Sequence, residues 1–193
     1  MSLRLFLALT PPEAVRAEAR RATEHLRASL PTLRARYADP AATHLTLVFL
    51  GQVEEGDVPP VERAVRGVAG TSRPFSCRTA GLGAFPAAHR PSVLWLGLDD
   101  DAGALARLQR DLADALNAHA PHADRKRFVP HLTLARVSSL GRTPRDAVPA
   151  ALQAYEPAPV PWPVGEVTLF RSELRSEGAR HTALLTAPLR APG

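Results

Sequence analysis

His44-Leu45-Thr46-Leu47 and His131-Leu132-Thr133-Leu134 are the same four residues written twice, 87 positions apart. Apolar residues follow each copy, Val48-Phe49-Leu50 in the first and Ala135 in the second. In a β-strand, residues two apart share a face. Histidine and threonine would then stand on one face, and both leucines on the other, toward a core. A single strand histidine is ordinarily a satisfied or exposed side chain and nothing more. Two identical copies weigh against that, because packing asks for leucine in both and has no need of imidazole and hydroxyl on the opposite face.

The surroundings of the two copies rhyme. Leu3–Leu9 reads as a buried strand, and Pro11-Pro12-Glu13 opens a helix to about Leu30 with Thr10 as its N-cap. Pro31–Ala42 reads as a connection, Thr43–Gly51 as the first motif strand, Pro59–Ala69 as a helix and Phe75–Leu82 as a strand. Gly83–Pro91 reads as a loop, and Gly81-Leu82-Gly83 as a turn. The pattern then restarts. Ser92–Leu98 is a strand, Ala102–Ala118 an amphipathic helix, and Val129–Ser138 the second motif strand. Pro144–Tyr155 reads as a short helix, and Val164–Ser172 and Arg180–Leu189 as strands joined at Glu177-Gly178. The spacing describes an internal duplication of a unit of roughly 90 residues, too long a period for a solenoid. Two equivalent α+β lobes would set the motif strands on either side of a cleft.

Bulk properties narrow the class. A chain of 193 residues, 45% hydrophobic and 22% charged, is one globular domain over 1–193 or two small lobes. No apolar run approaches the roughly 20 residues of a membrane helix. The start reads as a first strand and not a signal peptide. Cys77 is the only cysteine, which excludes an internal disulfide, fits a reducing cytoplasm and suggests a buried hydrophobe. The formal charge is +5, and Lys126 is the only lysine among 24 basic residues. That arginine bias fits a composition rich in Ala and Pro, and a basic surface also attracts polyanions such as RNA.

Two imidazoles and two hydroxyls suit one kind of chemistry. Histidine holds or releases a proton near neutral pH. A neutral ring can serve as base on a nucleophile while a protonated partner supplies the leaving group. Threonine hydroxyls can donate to non-bridging oxygens. This set fits phosphoryl transfer without a metal on a substrate with an internal leaving group, such as a 2′,3′-cyclic phosphate. Zinc would ask for three or four close ligands, and neither tetrad contains a carboxylate. His119 and His122, split by Pro121, read as solvated loop residues, and His25, His89 and His181 as surface residues. There is no G-x-S-x-G, Walker A or G-x-G-x-x-G motif. Arg125, Lys126 and Arg127 precede the second motif and read mainly as a solvated loop. Strict alternation puts Arg136 and Phe49 on the faces opposite Thr133 and Thr46 unless a bulge intervenes.

These residues resemble the two-histidine phosphoesterases, defined by two H-x-[ST]-x motifs, and within them the RNA 2′,3′-cyclic phosphodiesterase or 2′-5′ RNA ligase family. The likeness extends to Leu3–Leu9 with Pro11-Pro12, to His44–Gly51, to Gly81–Pro86, to Val93–Gly97, to Phe128–Arg136 and to Val167–Leu174. It implies a bilobal α+β fold of two pseudo-symmetric antiparallel-sheet lobes with outer helices and a central cleft. It implies hydrolysis of RNA or nucleotide 2′,3′-cyclic phosphate ends to 2′-phosphomonoesters, with no metal or other cofactor. His44 would be the proton donor and His131 the proton acceptor. Thr46 and Thr133 would hold phosphate oxygens, Arg136 would contact the ligand and Phe49 would flank the base. The expected protein is a cytoplasmic monomer with no membrane association. Reversible 2′-5′ RNA ligation, and RNA-end binding without turnover, are the alternatives.

Overall fold

The computed structural model describes residues 1–100, 102–117, 119, 128–175 and 178–190, with side chains omitted at 174, 175 and 178. The basic run Arg125–Arg127, together with Pro121, His122 and Glu177, lies outside these residues.

Nine strands and four helices alternate along the described chain. They run β1 (Ser2–Leu9), α1 (Glu13–Ser29), β2 (Arg34–Tyr37), β3 (Leu45–Glu54), α2 (Val58–Thr71) and β4 (Phe75–Phe85). The second half gives β5 (Val93–Asp99), α3 (Ala104–Leu116), β6 (His131–Ser139), α4 (Ala147–Gln153), β7 (Pro161–Val164), β8 (Glu166–Arg175) and β9 (Gly178–Pro188). The strands form two antiparallel sheets, ordered β3-β1-β8-β9 and β2-β6-β5-β4-β7. The fold is α+β, as expected.

The helices form because their apolar residues recur at helical spacing. Val15, Ala19, Ala22 and Leu26 make the buried stripe of α1, and Leu105, Leu108, Leu112 and Leu116 that of α3. Thr10 does not cap α1. Pro12 occupies that position with extended backbone and no side-chain bond. Asp100 takes the capping role for α3, accepting from the Ala104 and Leu105 amides at 2.6 and 3.0 Å. Glu18 is buried on α1, where it accepts from Arg21, from the Tyr155 hydroxyl at 2.7 Å and from the Ala158 amide. It thereby ties the helix to the segment after α4. Burial pushes its pKa up, but these three donors outweigh burial and hold the carboxyl below its ordinary value.

Three differences from the sequence reading have physical reasons. β2 lies inside the predicted connection; it is only 4 residues long, Arg34-Ala35-Arg36-Tyr37, and too polar to show a core pattern. β7 contains Pro161 and Pro163, residues that a strand tolerates only at a sheet edge, and it pairs with β4 alone. β4 continues through the predicted Gly81–Gly83 turn to Phe85. Gly83 is glycine because the Trp95 indole of β5 lies flat against it. A Cβ there would fall 2.1 Å from the ring.

The sheets and the sequence halves do not coincide. β2 and β4 of the first half pair within the sheet built on β5 and β6, and β8 and β9 of the second half extend the sheet built on β1 and β3. Each motif strand nonetheless pairs antiparallel with the opening strand of its own half, β3 with β1 and β6 with β5.

Candidate active site

The register of the two motif strands settles where their side chains go. Along β6, Thr133 faces Trp95 while Ala135 faces Leu94, so Leu134 is an extra residue on the motif strand. Along β3, Thr46 faces Ala8 while Val48 faces Leu7, which makes Leu47 the extra residue there. Each motif therefore carries a bulge directly after its threonine, and the residue beyond it changes face. Leu47-Val48 and Leu134-Ala135 are buried as consecutive pairs. Phe49 and Arg136, each five positions after its histidine, return to the same face as histidine and threonine. This resolves the conflict with strict alternation: Arg136 and Phe49 stand with the motifs.

All six expected residues line one cleft of about 610 Å³ between the sheets: His44, Thr46, Phe49, His131, Thr133 and Arg136. The two imidazoles are held in the same way. His44 Nδ1 lies 3.0 Å from the Ala42 carbonyl, and His131 Nδ1 lies 2.7 Å from the Val129 carbonyl, each two residues upstream. A carbonyl only accepts, so Nδ1 carries the hydrogen in both rings. Nε2 is left as the nitrogen that gains or loses the mobile proton.

The walls around the rings differ. Phe6 packs against His44 with ring centres 4.9 Å apart, whereas Phe85 meets His131 edge-on at 5.0 Å with Trp95 behind it at 6.1 Å. Burial is the first cause holding the His44 pKa below the ordinary value, opposed by its bond to Ala42 and reinforced by His181, His131 and Arg136. His131 is lowered by burial first, against its bond to Val129, and by Arg136. An anion bound between them would supply the opposite charge that such rings lack.

Sequence reasoning missed several residues of the cleft. His181 of β9 is no surface residue: it meets His44 edge-on at 5.2 Å and Phe6 at 4.9 Å. Arg4 lies 4.9 Å over the Phe49 ring, and Arg36 stands across from Arg136 in the β2–β6 register. His25 is also no bare surface residue, since its Nε2 donates to the Ala151 carbonyl at 2.8 Å. Cys77 is buried in β4, and burial pushes its thiol up to about 12, which leaves it unreactive. Among the described residues, no three His, Cys, Asp or Glu side chains converge as metal ligands.

Trp95 gives a test of how the His131 side is built. Gly83→Ala is expected to displace the indole, shift tryptophan emission in a Trp162→Phe background, and lower stability by about 1–3 kcal/mol. Unchanged emission and melting temperature would show that the indole does not depend on Gly83.

The model of the 2′-5′ RNA ligase superfamily matches residues 11–175. The chain belongs to that superfamily. Among its relatives, the RNA 2′,3′-cyclic phosphodiesterase of Thermus thermophilus is 34% identical over 97% of this chain and 91% of its own. That of Geobacillus stearothermophilus is 36% identical over 77% of this chain, which spans only 46% of the relative's length. A crystal structure of a Thermus thermophilus protein superposes with a TM-score of 0.79 at 30% identity, covering 99% of this chain and all of the other. The present chain shares with it a fold of two antiparallel sheets with flanking helices. None of its described helices is long and apolar enough to cross a membrane.

Proposed function

We propose that this chain is an RNA 2′,3′-cyclic phosphodiesterase that opens cyclic phosphate ends to 2′-phosphomonoesters. The observation that carries the reading is the matched pair of histidines in one cleft, each fixed through Nδ1 and each followed by a threonine on the same face. The relatives named for this reaction add weight to it.

In the proposed reaction His131 takes a proton from water as its oxygen attacks phosphorus in line. The P–O3′ bond breaks, and His44 delivers its proton to the departing 3′ oxygen. The proton lost by water resides on His131 and the one gained by the ribose comes from His44, so the pair exchanges roles and resets through solvent. Thr46, Thr133 and Arg136 stabilise the charge that builds on the non-bridging oxygens, a task that needs no metal or other cofactor. Phe49 stands beside the base of the terminal nucleotide. We read the two HLTL strands as copies of one ancestral unit, and the protein as a cytoplasmic monomer acting on RNA ends.

Phosphorus NMR of a 2′,3′-cyclic nucleotide, incubated with the protein in EDTA, tests this directly. A single 2′-phosphomonoester product is expected. A 3′-monoester would overturn the assignment of the leaving oxygen. No turnover of the nucleotide or of a cyclic-ended oligonucleotide would overturn hydrolysis, leaving ligation or plain RNA-end binding.

A further inference from the structure

We infer that Gln109 reads the edge of the terminal nucleobase and sets the base preference of the site, an inference that rests on the phosphodiesterase reading. A slot of about 650 Å³ opens from the catalytic cleft and shares Thr46, Thr133, His131 and Arg136 with it at one end. The aromatic walls of the slot are Phe49, Phe85 and Phe128. The volume and walls suit a planar heterocycle whose ribose phosphate sits at the shared end.

Beyond the shared residues, the slot offers two polar side chains, Gln109 and Ser92. The Ser92 hydroxyl is committed to the Phe85 carbonyl at 3.0 Å. The Gln109 amide has no hydrogen-bond partner among the described residues. Gln109 is half-buried on α3, one position beyond Leu108 and flanked a turn away by Leu105 and Leu112, which anchor the helix in the core. Its backbone is therefore fixed while its side chain lines the slot. A carboxamide presents an acceptor and two donors together. Base edges differ in their order of donors and acceptors, so one amide at a fixed place favours some bases over others. A well-formed pair of such bonds is worth about 1–3 kcal/mol of discrimination, roughly 5- to 150-fold.

The test compares kcat/KM for the 2′,3′-cyclic phosphates of adenosine, guanosine, cytidine and uridine, and in parallel the affinities of the four 2′-nucleoside monophosphates by calorimetry. The native protein should separate the best base from the worst by about tenfold. Gln109→Met, of similar size and without donors or acceptors, should contract that spread to less than about threefold, with the change falling on KM. Gln109→Glu, which only accepts, should raise guanosine, with its adjacent N–H donors, relative to uridine. Equal handling of all four bases by the native protein overturns the inference, as does an undiminished spread among the bases in Gln109→Met. Turnover of any cyclic nucleotide upholds the phosphodiesterase reading in either case. If none is turned over, the calorimetric ranking still decides the role of Gln109.

Discussion

Replacing His44 or His131 with alanine is expected to lower kcat by about 10²- to 10⁴-fold in each case, because each removal abolishes one proton transfer in a concerted step. The double variant should be little worse than either single one, since groups that act as a unit lose their effect together. Neither ring lies in the hydrophobic core, so melting temperatures should move little. Quenched time courses with a cyclic nucleotide give the rates. Variants within tenfold of the native rate would remove the histidines from the mechanism.

The same pair predicts an unusual pH profile. Both rings sit below the ordinary histidine value of 6.5, chiefly through burial. In the free protein near neutral pH both are therefore mainly neutral, and the productive form with one proton grows as pH falls. Further acidification protonates the base as well. The bell in kcat/KM should consequently have its alkaline limb below 6.5. The bound substrate anion favours an imidazolium, so the alkaline limb of kcat should lie at higher pH than that of kcat/KM. Arg136 lowers both rings, and Arg136→Gln should shift the kcat/KM limb upward. A flat profile from about pH 5 to 8 would contradict acid–base catalysis by this pair.

Thr46→Val and Thr133→Val are expected to lower kcat by about 10²-fold each, the usual cost of removing one fixed donor from a developing oxyanion. Valine keeps the shape and the strand preference of threonine, so a stability change does not obscure the result. Serine at either position should restore most of the rate, because it returns the hydroxyl. An effect confined to KM would mean that the hydroxyls hold the substrate equally in the ground and transition states. Valine variants within threefold of the native kcat would exclude the hydroxyls from charge stabilisation.

The histidines and threonines were legible because period-two spacing sorts them from the leucines without knowledge of the fold. Arg136 and Phe49 were less so, since a bulge adds one residue and inverts every face beyond it. The signal was present: apolar Leu47-Val48 and Leu134-Ala135 break the alternation at the same place in both copies. His181 left no such trace. It reaches His44 only because β9 joins the sheet through β8, a pairing that depends on register far along the chain. The edge strands β2 and β7 were invisible for another reason, because arginine and proline suit an edge and carry no core pattern. Gln109 was hidden as an ordinary helix residue until α3 was placed beside the slot.

The exchange of strands between the halves also bears on how the folded chain comes into being. A fragment ending after β4 would lack β8 and β9, which complete the sheet on the far side of β1. The complementary fragment would lack β2 and β4, the strands on either side of its β6-β5 pair. Each piece alone is therefore expected to remain incompletely folded and inactive, as is a nascent chain that still lacks its second half. Co-expressed halves should recover activity only by recombining into the whole. The proposed catalysis would thus report on complete chain assembly.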